Sequence, residues 1–358
     1  MPFGPRLALS LTLGLVAAVV AYQHALIGDP QRDFTQVWFA ARALLHGDNP
    51  YALVGPGLAY DWPWTLLYPL TAAVAAIPLA PLPQELANMV FMLIGATAFA
   101  WALMRSGYGP LIGFASASTL FAVEAVQWSP LLAAVVVVPP LGIILAAKPT
   151  IGAAIFAARP SWWPIGGGIL LVLLAFLADP AWVSHWLDAI ARNTRIVPPT
   201  APHRAPVSVP GGLFALACLA RWRRPEARLV AVLACIPQTL LPYEALPLFL
   251  VPQAWHEALL LTAASWGALT WALGQAPMSE SVRFIAASTQ AFVIALYIPA
   301  TILVLRRPNE GTLPEWIERR IAGWPGWVRG TSVTSAASRS TAPRTAGAPV
   351  GAERGAIS

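Results

Sequence analysis

LALSLTLGLVAAVVAYQHALI, residues 7–27, carries no Asp, Glu, Lys or Arg in 21 positions. An α-helix rises 1.5 Å per residue, so roughly 20 apolar residues cross the ~30 Å hydrocarbon core of a bilayer, and this stretch suffices for one crossing. The same character extends along the chain. Of its 358 residues 57% are hydrophobic and 11% charged, with a mean hydropathy of +0.63, against roughly 45–50% apolar and about 25% charged in a soluble domain. That excludes a soluble globular enzyme, a nucleic-acid-binding domain and a disordered chain. The fold class expected is an all-α polytopic membrane protein. Arg6 before the first apolar run, and the further runs after it, favour a retained signal anchor over a cleaved signal peptide.

Later apolar windows fall at 85–104, 109–126, 129–147, 162–178, 211–219, 229–241, 245–255, 258–273 and 284–305, which predicts about ten transmembrane helices. Arginines and lysines in short loops mark the cytoplasmic side. Placing Arg105, Lys148 with Arg159, the four arginines of 221–228, and Arg306 with Arg307 there puts both termini inside. This requires residues 62–82, with Pro63, Pro69, Pro78 and Pro81 inside and Pro83 just after, to be an outer interfacial helix pair rather than a span. Two large loops, 28–84 and 179–210, then face outward. The transmembrane domain covers 1–310. Residues 311–330, with Trp316, Trp324 and Trp327 beside arginines, read as an interfacial amphipathic segment. Residues 331–358, rich in Ser, Thr, Ala, Pro and Gly, read as a disordered tail. From 306 onward eight arginines stand against four glutamates, so much of the net charge of +6 belongs to this end. Cys218 and Cys235 sit in separate apolar runs and read as small hydrophobes. Gly166–Gly168 reads as a place of close helix packing.

Ionisable groups beside apolar segments are costly and are therefore site candidates. The first outer loop begins GDPQRDFTQVWFAARALLHGDNPY, residues 28–51. Asp33 directly precedes a helical pattern of Phe34, Val37, Trp38, Ala41 and Leu45, which leaves two roles open for it: a site carboxylate or a helix N-cap. Asp48, among Gly47, Asn49 and Pro50, reads as part of a turn. The second loop contains RNTRIVPPTAPHR, with Arg192, Arg195, His203 and Arg204 among prolines, and His185 precedes it. Taken singly, each of these cations reads first as a contact to lipid headgroups in an interfacial loop and second as a site residue. Glu124 and Gln127 end one window on the outer side, and Tyr243 with Glu244 lie between two short windows. Lys148, the single lysine, reads as snorkelling at the cytoplasmic face.

Asp33-Phe34, Ala40-Ala41-Arg42-Ala43-Leu44-Leu45 and Gly47-Asp48-Asn49-Pro50-Tyr51 together resemble the first-loop signature of the polyprenol-phosphate-mannose-dependent membrane glycosyltransferases with a GT-C fold, glycosyltransferase family 87. Tyr68-Pro69-Leu70 resembles that family's Tyr-Pro-Pro-Leu, and Lys148-Pro149-Thr150 its Lys-Pro motif. Gln127-Trp128-Ser129-Pro130 resembles its Gly-Gln-containing span start, with Val126 standing where the family has glycine. The resemblance runs in order through residues 1 to about 190. It implies a GT-C-like bundle and an inverting hexosyltransferase, using mannose in that family, with Asp33 as catalytic carboxylate. The implied donor is a polyprenyl-phosphate hexose and the acceptor a glycolipid or cell-envelope glycan. Under it, Arg192, Arg195, His203, Arg204 and His185 become candidates for the donor phosphate. Arg32, Tyr51, Tyr68, Gln127, Glu124, Tyr243 and Glu244 become candidates for substrate contact. No cofactor beyond the lipid-linked donor is expected, no residues stand out as metal ligands and the metal requirement stays open, and the partners are the bilayer, donor and acceptor, with no nucleic acid. The location is a plasma or inner membrane with the site facing outward. A transporter or flippase of a lipid-linked substrate, and a non-catalytic family member, are the competing classes.

Overall fold

The computed structural model describes residues 2–27, 32–62, 64–196, 204–237, 242–278 and 281–326, and the tail expected at 331–358 lies outside them. The chain is mostly helical. The first run forms α1 (Phe3–Ile27), followed by α2 (Asp33–Leu45), α3 (Pro50–Leu53), a two-residue parallel bridge between β1 (Val54–Gly55) and β2 (Tyr60–Asp61), and α4 (Leu70–Ala76). After these come α5 (Gln84–Leu103), α6 (Ala117–Glu124), α7 (Ser129–Ala134), α8 (Pro149–Ala158), α9 (Trp162–Ala178) and α10 (Trp182–Ile196). The last third holds α11 (Pro225–Cys235), α12 (Trp255–Gln275), α13 (Ser281–Phe292), α14 (Ile298–Leu305) and α15 (Glu315–Ile321), with 3-10 segments at 109–115, 139–147, 212–221 and 242–250. Among the described residues three helices are long and apolar enough to cross a membrane, at 3–24, 84–106 and 283–305, and a fourth if α9 and α10 count as one broken span. A membrane-embedded helical protein is therefore the class that the fold defines.

The window 129–147 does not behave as a span. A straight helix over it would be roughly 28 Å long, which would set Gln127 and Lys148 at opposite ends. Instead Lys148 Nζ donates to Gln127 Oε1 at 2.9 Å. Helix α7 stops after six residues, Pro139 and Pro140 prevent its continuation, and a 3-10 run brings the chain back. The hairpin can turn because α9 comes very close: a Cβ on Gly167 would lie 2.2 Å from Ile143 Cα and 2.6 Å from its carbonyl oxygen. Of the three glycines at 166–168, Gly167 is the one that needs to be small.

The reversal corrects the placement of Lys148. Helix α8 runs from Lys148 at one end to Arg159 at the other, so the two cations do not share a face as expected. Arg159 instead belongs with the remaining arginines. Arg228 donates to the carbonyls of Ala157 and Ala158 at 2.7 and 2.9 Å, Arg105 pairs with Glu226 at 3.1 Å, and Arg307 pairs with Glu257 at 2.7 Å. Arg221 reaches the Arg307 carbonyl at 2.7 Å. Buried Arg223 holds Glu318 of α15 through two bonds of 2.8 and 3.0 Å, and this docks the expected interfacial segment onto the same end. Residues 62–82 also differ from expectation. They supply one short helix, α4, whose small apolar residues bury it beneath α2 and α9 instead of leaving it on the surface.

Candidate functional site

Asp33 is the first residue of α2, and Arg32 occupies the N-cap position. Among the described residues its carboxylate bonds only to side chains. Oδ1 accepts from Gln36 Nε2 at 3.3 Å, and Oδ2 accepts from the Tyr68 hydroxyl at 3.4 Å and from the Gln127 carboxamide. The helix-cap role for Asp33 therefore falls away. Its backbone N–H goes to the Ala125 carbonyl at 2.9 Å, and the buried Arg32 guanidinium reaches the Glu124 carbonyl, which ties the start of α2 to the turn after α6. Glu124 thus enters the site through its backbone.

That turn carries a strained residue. Val126 has φ +48°, a left-handed conformation that costs an L residue about 1–2 kcal/mol. It is held there by Val126 N–H to Val123 (3.2 Å) and Gln127 N–H to Ala122 (2.8 Å), and it turns the Gln127 side chain toward Asp33. A glycine would adopt this backbone freely.

Gln127 has no freedom to flip. Lysine has three donors and no acceptor, so Lys148 requires the carboxamide oxygen, and the amide N–H must face Asp33. Lys148 Nζ also stands over the rings of Tyr243 at 5.0 Å and Tyr68 at 5.7 Å. Burial first, then Asp33, Tyr243 and Glu244, push the Tyr68 phenol well above the ordinary tyrosine value, so it remains a proton donor to Asp33 at neutral pH. Glu244, buried and near enough to act on Tyr68, completes the group. Tertiary packing thus joins Asp33, Tyr68, Gln127, Tyr243 and Glu244, five candidates spread over more than 200 positions, and adds Gln36 and Lys148. Lys148 stands at the N-cap of α8, and Pro149 after it suits the first turn of a helix.

The chain around α10 meets the segment around α3. Helix α9 breaks from α10 by 90°. Asp179 initiates α10 by accepting from Ala181 N–H at 2.9 Å and holds His185 Nδ1 at 2.7 Å. Trp186 donates to the Leu67 carbonyl at 2.9 Å, and Arg192 to the Tyr51 carbonyl at 3.0 Å. A cleft of about 150 Å³ opens here among Asn49, Tyr51, His185, Asp188 and Arg192. Tyr51, which lines it, donates its hydroxyl to the Tyr68 backbone carbonyl at 3.1 Å. His185 and Arg192 therefore line a neighbouring cleft and do not join the Asp33 cluster. Arg204 is exposed, while His203 and the Arg195 side chain lie outside the described residues. Among the described residues no group of three His, Cys, Asp or Glu could hold a metal ion. No family model, curated protein or solved structure matches the chain.

Proposed function

We propose that this chain is a GT-C-type membrane glycosyltransferase that moves a hexose from a polyprenyl phosphate to a hydroxyl of a lipid or cell-envelope glycan on the outer face. The observation that carries the reading is the Asp33 carboxylate, held by Tyr68, Gln127 and Gln36 where the first outer loop meets the Gln127 turn and the start of α8. Displacement at an anomeric carbon passes through an oxocarbenium-like state. The acceptor oxygen bonds to the anomeric carbon, its proton passes to Asp33, and the bond to the phosphate oxygen breaks with its electron pair leaving on the phosphate. A phosphate departs as a stable anion, so no second acid is needed. The three donors on Asp33 keep its oxygens directed while leaving it able to accept a proton.

The architecture in this reading has ten membrane-inserted segments, α1, α5, residues 109–124, α8, α9, 212–221, α11, 242–250, α12, and α13 with α14, of which α8, 212–221, α11 and 242–250 are shorter than a full crossing and are continued by the irregular chain that flanks them. The clustering of Arg105, Arg221, Arg228 and Arg307 at one end, and of Asp33, Gln127, Lys148 and Tyr243 at the other, supports it. With Cys218 and Cys235 replaced by Ser, a cysteine at the exposed position Asp48 is expected to react with an impermeant thiol reagent outside intact cells, and one at exposed Ser106 is not. Labelling of both, or the reverse pattern, would overturn the orientation. The activity itself is tested with purified protein in lipid nanodiscs, a radiolabelled polyprenyl-phosphate hexose and membrane lipid extract as acceptor. Radiolabel should move into a product that requires both. Absence of such a product across mannosyl, glucosyl and galactosyl donors would refute the reading.

A further inference from the structure

We infer that Lys148 and the N-terminus of α8 form the seat of a phosphate anion, the leaving group of the donor; this rests on the glycosyltransferase reading above. Lys148 is about nine-tenths buried. Buried charges in proteins are normally paired. Yet among the described residues its only hydrogen bond is the one to the neutral Gln127 carboxamide, and no carboxylate lies within ion-pair distance of it. One of its three N–H donors is used there, and two are left for a ligand. The faces of Tyr243 and Tyr68 flank the ammonium and stabilise it without satisfying those donors. Lys148 is also the N-cap of α8, a ten-residue helix, so the positive end of that helix dipole adds to the cation.

The placement suits the chemistry. Lys148 and Asp33 stand on opposite sides of the Gln127 carboxamide, so one negative group can be received beside the carboxylate that takes the acceptor's proton. An oxyanion developing on the phosphate as the sugar departs is stabilised by a fixed cation in a dry site far more than in water. By contrast, Arg192 is exposed and already bonded to the Tyr51 carbonyl. The ligand is thus a phosphate ester anion, and the lipid chain and the phosphate group can be separated experimentally.

The test measures binding without turnover. Purified protein in detergent is titrated with undecaprenyl phosphate, with undecaprenol, which has no phosphate, and with inorganic phosphate, and melting temperature and native mass spectrometry read the result. The wild type is expected to be stabilised by undecaprenyl phosphate and not by the alcohol, with inorganic phosphate competing weakly; competition as strong as the lipid itself would identify a free-phosphate site and overturn the donor assignment. Lys148→Met, which fills the same volume without charge and is expected to fold because apolar replacement of a buried charge is often neutral or better, should weaken the lipid phosphate about ten- to a hundredfold. Lys148→Arg should recover most of the affinity. Asp33→Asn should bind at least as tightly as the wild type. Wild-type affinity in Lys148→Met overturns the inference even if sugar transfer is found. Lost affinity in Lys148→Met together with no transfer by the wild type would keep the phosphate site and refute the glycosyltransferase.

Discussion

Asp33→Asn is expected to reduce sugar transfer by on the order of a hundred- to ten-thousandfold while leaving the protein folded, because a carboxamide cannot take the acceptor's proton. The hydrogen bonds around it explain why the fold survives. Asn Oδ1 can occupy the position of Oδ2 and accept from Gln127 and Tyr68. Its new N–H₂ then faces Gln36, whose carboxamide can turn to offer oxygen. Gln127 cannot turn, since Lys148 holds its oxygen, so only this one arrangement of Asn satisfies every group. Asp33→Leu is a different case. It strands the buried Gln127 amide and the Tyr68 hydroxyl, at about 1–3 kcal/mol for each unsatisfied group, and should lower the melting temperature as well as activity. Asp48→Asn, at an exposed turn, should leave both unchanged. Transfer rates in nanodiscs together with melting curves decide the matter. Undiminished transfer by a folded Asp33→Asn protein would move the base elsewhere, with buried Glu244 the next carboxylate in the cluster.

Gly167→Val is expected to destabilise the protein by about 3 kcal/mol or more, at the upper end of what overpacking costs. The obstruction is backbone, since the added Cβ would sit 2.2 Å from Ile143 Cα, and neither helix α9 nor the 139–147 segment can yield by rotating a side chain. The hairpin that ends at Lys148 would have to move away, and the site would open with it. Gly166→Val is the matched control, because a Cβ there meets nothing within 4 Å; it should be close to silent. Thermal unfolding of the two variants in the same detergent should therefore differ by many degrees. Equal stability would mean that α9 does not approach the hairpin this closely.

Much of the site was legible because its residues violate the local rule of an apolar chain. Asp33, Gln127 and Glu244 are polar groups beside long hydrophobic runs, where burial without function is expensive. Tyr68 and Tyr51 were visible only through the family resemblance, since tyrosine beside prolines is ordinary at a membrane interface. His185 and Arg192 line a cleft against residues 49–58, where Asp179 and the Tyr51 carbonyl engage them, contacts that a sequence showing only their charge cannot show. Lys148 departs furthest from expectation, since it bonds to Gln127, a residue expected on the opposite side. Basic residues flanking an apolar window ordinarily mark the cytoplasmic side, and that rule assumes the window crosses.

Hydropathy is a property of each residue and its near neighbours, so the sequence by itself determined the membrane helical class, the first span, the end of the molecule rich in arginine and the prominence of Asp33. Only the tertiary structure decided that residues 129–147 turn back. An apolar segment is equally content in lipid and against other apolar helices, provided its backbone groups are satisfied; composition alone cannot separate the two. The choice was made by Pro139 and Pro140 breaking the helix, and by Gly167 letting α9 reach the Ile143 backbone. That packing carries Lys148 across the molecule to Gln127 and so assembles a cation, a carboxamide and a carboxylate that lie 115 positions apart in the chain, from Asp33 to Lys148.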